Sequence, residues 1–421
     1  MHSGNDPIRF PLSPSEAADR YYRDHLTRIV SLIPERLGDA RPLALLLGGS
    51  LALGEACALP GAEGPAPGSD IDLYLVVDGG EGEDLKRRVA ALRDRMLASL
   101  ETPGLVVDLG TITPERLGRL RPTIAHATLA RRGRTIWGDP SILDGAARPR
   151  FDEIPGSDGY LLLLNRTVEE LVELRPAGEC GEAEGEVWYR TGKTFRDLGA
   201  SALVAAGRFA PGLEEQREAV RLLFGGDGEG PTAAGFIEEH HFWCDRKLRP
   251  DPAAIEARYG GGSAGMRRVQ ILKRDALESI HRWELRGVWG LPEGSDERSA
   301  CRRAARFPRR ARRWGEYLLR EGPTAIGPAL RQLAAGLPAT PLDATYAAAV
   351  RLLLAWGPIH GAGESDEDRR HLAAAYRNAV RRPARTGDFR TDWMGLRNEV
   401  CAFWDREVMG GTRPARERSE R

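Results

Sequence analysis

The chain has few cysteines, no net charge and no long apolar run, and each absence excludes something. Its five cysteines (Cys57, Cys180, Cys244, Cys301 and Cys401) are widely scattered. None falls in a C-x-x-C pair, which excludes a disulfide framework and a cysteine-based zinc site and fits a reducing compartment. The 61 basic side chains are balanced by 61 acidic ones, for a net charge of zero. A protein that lives on polynucleotide backbone shows a basic excess, so bulk nucleic-acid binding is disfavoured. No stretch of about eighteen apolar residues occurs that would span a membrane, and Met1 to Leu12 holds no apolar run of signal-peptide length. The expectation is a cytoplasmic protein with no membrane partner. There is no internal repeat.

What is present suffices for two or three domains: 421 residues, 41% of them hydrophobic. Ser15 to Leu37 reads as a helix, with Tyr21, Tyr22, Leu26, Ile29, Val30 and Ile33 at helical spacing. Leu43 to Leu47 is a buried strand running into the turn Gly48-Gly49. Ile71 to Val77 is a second strand, Leu85 to Leu100 an amphipathic helix, and Leu105 to Ile112 a third strand. Pro114 after Thr113 marks a helix start. This order predicts an α+β protein: a small mixed-sheet domain over residues 15–150, followed by all-α domains. Stripes at helical spacing through Tyr160, Leu164, Val168 and Leu171, and again through Trp188, Phe195, Leu198 and Ala202, predict a helical bundle over 157–290. A second helical unit is expected over 295–408. Arg249 to Gly265, with proline and a glycine triplet, reads as a loop. The charged tail 410–421 reads as disordered.

The residues that carry chemistry lie in two strands and one turn. Asp70 and Asp72 are two apart at the start of a strand, so both face one side while Ile71 faces the other. Two carboxylates so close repel, and each tends to protonate unless a cation sits between them. Oxygen-only ligands suit Mg²⁺ or Mn²⁺ better than zinc. Asp108 is the only charged residue between Gly104 and Thr113, and a carboxylate amid Leu105, Val106, Val107 and Leu109 is costly unless paired or metal-bound. Nucleotidyl transfer by two metals uses about three carboxylates around ions roughly 3.5–4 Å apart. Gly48-Gly49-Ser50 supplies a turn whose backbone approaches a phosphate closely, followed by the amides of a short helix near Leu51–Glu55.

Gly48-Gly49-Ser50, then Gly54-Glu55, then Ser69-Asp70-Ile71-Asp72-Leu73 resembles the signature of the nucleotidyltransferase superfamily of the DNA polymerase β type. The match covers roughly residues 40–140. The resemblance implies a Mg²⁺- or Mn²⁺-dependent enzyme that transfers a nucleoside monophosphate from a nucleoside triphosphate, ATP first among them. By position, Asp70 and Asp72 match the paired metal ligands and Asp108 the third, catalytic carboxylate. Two features depart from the pattern: Leu53 stands where many members place Arg or Lys, and Cys57 to Gly68 is longer than usual and is expected to loop out at the site mouth.

The helical part adds cations. Glu186, Arg190, Lys193 and Asp197 share one helix face, opposite Trp188, Phe195, Leu198 and Ala202. This resembles small-molecule, aminoglycoside-type nucleotidyltransferases, in which a helical domain presents a lysine to the phosphates; Lys193 is the matching residue, and Glu186 a second candidate base. The bland alternative for Lys193 is a solvated face with i,i+4 ion pairs. Thr191-Gly192-Lys193-Thr194 is not a P-loop, because Val187 stands where the first glycine belongs and the context is helical. His240-His241 beside Cys244 reads as exposed helix, since adjacent histidines splay by about 100°. The run Arg302–Arg313 has seven arginines and no acid, and reads as a solvated face or linker, or else as a contact for RNA, a phosphate-rich substrate or a partner's acidic patch. The acceptor expected is a small hydroxylated molecule. Rivals are a regulator or toxin–antitoxin protein that nucleotidylates a protein or tRNA, and an inactive nucleotide-binding member of the superfamily.

Overall fold

A computed structural model describes residues 10–61, 64–79, 82–174, 184–225, 233–292, 307–334, 339–356 and 364–408. A mixed-sheet N-terminal part is followed by an extensive all-α region, and the chain divides into two compact units.

The first unit holds residues 1–158, 183–229 and 233–262. It opens with helix α1 (Glu16–Ser31), whose N-cap Ser15 accepts a hydrogen bond from the Ala18 amide. The sequence pattern carried this helix to Leu37, but it stops at Ser31, just ahead of Pro34, which disfavours helical backbone at the residue before it. Strands β1 (Arg41–Leu47), β4 (Ile71–Asp78), β5 (Val107–Ile112) and β6 (Arg134–Gly138) form one sheet in the order β5-β4-β1-β6. β1 runs antiparallel to both β4 and β6, and β4 and β5 run parallel. β6, unanticipated, is too short to show a pattern of its own.

Alternation divides the sheet's side chains. Leu45, Leu47, Ile71, Leu73, Leu75, Val77, Val107 and Leu109 pack with Tyr22, Leu26 and Ile29 of α1 and with Leu92 and Met96 of α3 (Glu83–Leu100). On the other face, Ala44, Leu46, Val76 and Ile112 meet Leu117 of α4 (Pro114–Leu117) and Leu129 of α5 (Ile124–Arg132). The four residues Gly49–Ala52 form α2 directly after β1. Residues 57–68, expected to loop out, instead hold two paired strands, β2 (Ala58–Gly61) and β3 (Gly64–Pro67).

The remaining helices of this unit are α7 (Glu184–Ala205), α8 (Leu213–Phe224), α9 (Ala233–Leu248) and α10 (Pro252–Tyr259). Trp243 of α9 is fully buried and stacks on Tyr259, Trp188 and Phe195. α10 replaces the loop expected over 249–265: Asp251 caps it and Pro252 occupies its first turn, a helix start that the proline and glycine content concealed.

The second unit holds residues 159–182, 230–232 and 263–421. Its described helices are α6 (Gly156–Glu173), α11 (Gly262–Gly287), α12 (Phe307–Glu321), α13 (Ile326–Ala334), α14 (Pro341–Leu354), α15 (Asp366–Asn378) and α16 (Phe389–Val408). Trp314, Tyr317, Ala344 and Phe403 form one core. The Lys273 ammonium, itself buried, lies 2.6 Å from Glu170 and 3.5 Å from Glu173. Arg397 donates to the Leu171 and Val172 carbonyls. The helices expected as one bundle over 157–290 are thus divided, α7 to α10 belonging with the sheet and α6 and α11 with the later helices. The tail expected to be disordered, 410–421, lies outside the described residues.

Candidate active site

The site grows from the junction of β1 and β4. β1 ends at Leu47, and the Gly48 amide donates to the Asp72 carbonyl at 2.8 Å. The chain then turns through Gly49 at φ +57°, in the left-handed region that glycine tolerates. A Cβ at Gly49 would stand 1.8 Å from Asp72 Oδ2, so the turn lies directly against that carboxylate. Only glycine leaves room for both.

Asp70 immediately precedes β4, and Asp72 is its second residue. Asp108 is the direct partner of Asp72 across the parallel β4–β5 ladder. Asp72, Tyr74, Asp108 and Gly110 therefore share a face, and the Tyr74 ring fills the space beside Gly48 and Gly110. Asp108 is exposed, which corrects the expectation of a buried carboxylate: the sequence around it is apolar because the alternate residues Val107 and Leu109 face the core. Burial, with the charges of Asp70 and Asp108 beside it, pushes the Asp72 carboxyl up to about 6; Lys193 and Arg196 pull the other way. Burial and the charges of Asp72 and Asp108 likewise push the Tyr74 phenol up to about 12.

The approach to Asp70 is pinned from behind. The Tyr22 hydroxyl of α1 accepts from the Ser69 amide at 2.8 Å and donates to the Cys57 carbonyl at 2.8 Å. Ser69 Oγ in turn accepts from the Cys57 amide at 2.9 Å. Glu55, at the end of the glycine motif, accepts from the Leu213 amide at 2.6 Å and so caps the first turn of α8.

α7 supplies cations. Lys193 Nζ stands 3.7 Å from Asp70 Oδ2, with the two side chains 28% and 47% exposed. Arg196 acts electrostatically on Asp72 and pairs with the buried Asp197 at 2.6 Å. Asp197, expected on the polar face opposite the core, is thus buried, while the Glu186 side chain lies outside the described residues. Thr191 and Thr194 are buried in mid-helix, bonded back to the Val187 and Arg190 carbonyls, as a P-loop would forbid. We found no family model that matches the chain, and no curated protein that does.

The structure therefore brings Asp70, Asp72, Asp108, Gly48, Gly49 and Lys193 to one end of the sheet. Ser50, half-buried, follows the turn in α2. Among the described residues no three Asp, Glu, His or Cys side chains close into a finished metal-holding group. The donor chemistry nonetheless suits a hard cation: carboxylate oxygens beside one another, one held up in pKa by burial and then by its like-charged neighbours. Sequence reasoning quoted Glu55 only as part of the motif and missed Tyr22, Tyr74 and Arg196; the partners of Tyr22 and Arg196 lie far away in the chain.

His240 is fully buried rather than exposed. Burial pushes its imidazole down to about 3 and the Cys244 thiol up to about 12, so both are neutral; the His240 ring packs against Gly199, with Cys244 Sγ 3.6 Å from its Nε2. Of the arginine run, Arg312 and Arg313 pair with Glu316 and Arg310 is buried, while 302–306 lie outside the described residues. No helix among the described residues is long and apolar enough to cross a membrane.

Proposed function

We propose that the first unit is the catalytic body of a nucleotidyltransferase that moves a nucleoside monophosphate from a nucleoside triphosphate, ATP first, to a hydroxyl of a small molecule. The observation that carries this reading is the register pairing of Asp72 with Asp108, next to Asp70 and against the Gly49 turn. A Mg²⁺ or Mn²⁺ held by Asp70 and Asp72, with Asp108 as third ligand, would neutralise the triphosphate and acidify the attacking hydroxyl. Lys193 and Arg196 attract the phosphate chain, and the amides following Gly48 face its oxygens. Asp108, being exposed, is open to the acceptor and takes its hydroxyl proton. The hydroxyl oxygen then bonds to the α-phosphorus as the bond to the bridging oxygen breaks, and pyrophosphate leaves. The zero net charge favours a small acceptor over a polynucleotide.

The test is pyrophosphate release and label transfer from each α-labelled nucleoside triphosphate, with Mg²⁺ or Mn²⁺, in cell extract fractionated by size. Transfer to a small molecule is expected, and Asp70→Asn, Asp72→Asn and Asp108→Asn should each cut it by about 10²-fold or more. Nucleotide binding without release for any acceptor would instead make the protein a binding module. Label on protein or tRNA would favour the regulator reading.

A further inference from the structure

Lys247, on the last turn of α9, is only 3% exposed. Among the described residues it has no ion pair and no hydrogen bond; its ammonium lies 5.8 Å from the centre of the Tyr189 ring. The charged and titratable groups facing it are Arg196 and Lys193 from α7, and Glu55 and Cys57 from the segment after α2. None of them satisfies it. The Glu55 carboxylate is engaged with the Leu213 amide, and burial pushes the Cys57 thiol up to about 11, so it carries no charge near neutral pH.

α7 and α9 meet closely at this point. A Cβ on Gly192 would stand 3.3 Å from the Lys247 Cβ and 3.2 Å from the Trp243 carbonyl, which explains the glycine in the sequence Gly192-Lys193-Thr194 as a packing residue. Tyr189, Lys193 and Arg196 follow at i, i+4 and i+7 on α7, one face of that helix. Lys193 stands 3.7 Å from Asp70 and Arg196 acts electrostatically on Asp72, while Lys247, on the helix packed against α7, faces both of these cations. A buried ammonium without an anion is costly and is relieved by losing its proton or by gaining a counter-charge. Burial, with Arg196 next, has pushed the Lys247 amine down to about 8, Glu55 and Cys57 opposing.

We propose that Lys247 is a proton-coupled anchor for a polyphosphate: Lys193, Arg196 and Lys247 receive the anion together, and Lys247 takes up a proton as it arrives. The inference rests on the transferase reading only in taking the donor's phosphate chain as the natural anion. The coupling makes affinity fall as pH rises through the range in which free Lys247 is neutral, because proton uptake then opposes binding.

The test is calorimetric titration of the full-length protein with inorganic tripolyphosphate, without divalent metal, in buffers of different ionisation enthalpy. Wild type should take up roughly half a proton or more per anion at pH 8.5 and almost none at pH 6.5. Lys247→Met should lose the uptake at pH 8.5 and bind about tenfold more weakly at pH 7. It should also melt higher than wild type at pH 7, because an uncompensated buried charge is gone, whereas a merely structural lysine would give a lower melting temperature. Absence of uptake by wild type at pH 8.5, a measurement that needs no variant, overturns the proposal, as does unchanged binding by Lys247→Met. Lys247-dependent uptake in a protein that transfers no nucleotide would sink the transferase reading alone. Transfer without uptake would sink the anchor alone.

Discussion

At the scale of single residues, Asp72 is held in a place that opposes its own charge. Its folded pKa of about 6 lies above the ordinary 3.8, so ionising it costs the folded state. That cost is absent below about pH 4, grows between about 4 and 6, and is complete above about 6. Asp72→Asn is therefore expected to stabilise the protein by about 1–3 kcal/mol at pH 7.5, with the gain vanishing as pH falls to about 4. Urea melts of both proteins at several pH values check this. A loss of stability at pH 7.5 would mean that the Asp72 charge is compensated in the fold. Stability gained where activity is lost is the pattern of a site built for chemistry rather than for folding. Asp70, Asp72 and the Gly48-Gly49 turn were legible in the sequence because strand alternation and turn chemistry act over a few neighbours. Lys247 and Arg196 were not, since their surroundings include residues more than a hundred positions earlier, Glu55 for Lys247 and Asp72 for Arg196.

At the scale of elements, α1 does more than cover the sheet. Its Tyr22 hydroxyl is the shared partner of backbone groups at Cys57, Gly68 and Ser69, tying both ends of the β2–β3 segment to the start of β4. Tyr22→Phe removes that hydroxyl and leaves buried backbone groups without their partner. It is expected to cost about 1–3 kcal/mol in thermal or urea unfolding, and to weaken tripolyphosphate binding less than Lys247→Met does. A change under about 0.5 kcal/mol would show that the segment is held by other bonds. Hydrophobic periodicity located α1, α3, β1, β4 and β5, because each has one face against a core. It missed β6, the β2–β3 pair and α10. Those elements are short, and glycine or proline in them imitates a loop until a paired strand or a cap such as Asp251 is in place.

At the scale of the whole molecule, the chain visits its two units in alternation. Residues 1–158 begin the first unit, 159–182 belong to the second, 183–229 and 233–262 return to the first, and the remainder completes the second. A fragment ending at residue 158 would keep all three carboxylates yet lack Lys193, Arg196, Lys247 and the Leu213 amide that Glu55 holds. It is expected to show no measurable tripolyphosphate affinity and a broad unfolding transition, whereas residues 1–421 bind and melt sharply. Equal affinity in the two would place the anion on the sheet alone. The mixed sheet followed by helices was legible from the order of patterns along the chain. The regrouping of α7 to α10 with the sheet was not, because amphipathic stripes report that a helix is buried without saying against what.

The same alternation sets a schedule for synthesis. α6 leaves the ribosome with Leu171 and Glu170 already made, while Lys273 and Arg397, which neutralise and bind it, are about a hundred and more than two hundred residues from emerging. At about 5–20 residues per second, that helix waits on the order of ten seconds or longer with its apolar stripe unclaimed. The nascent chain therefore passes through a stage in which one body can close around residue 262 while a sticky, acidic helix stands apart, a natural client for a holding chaperone.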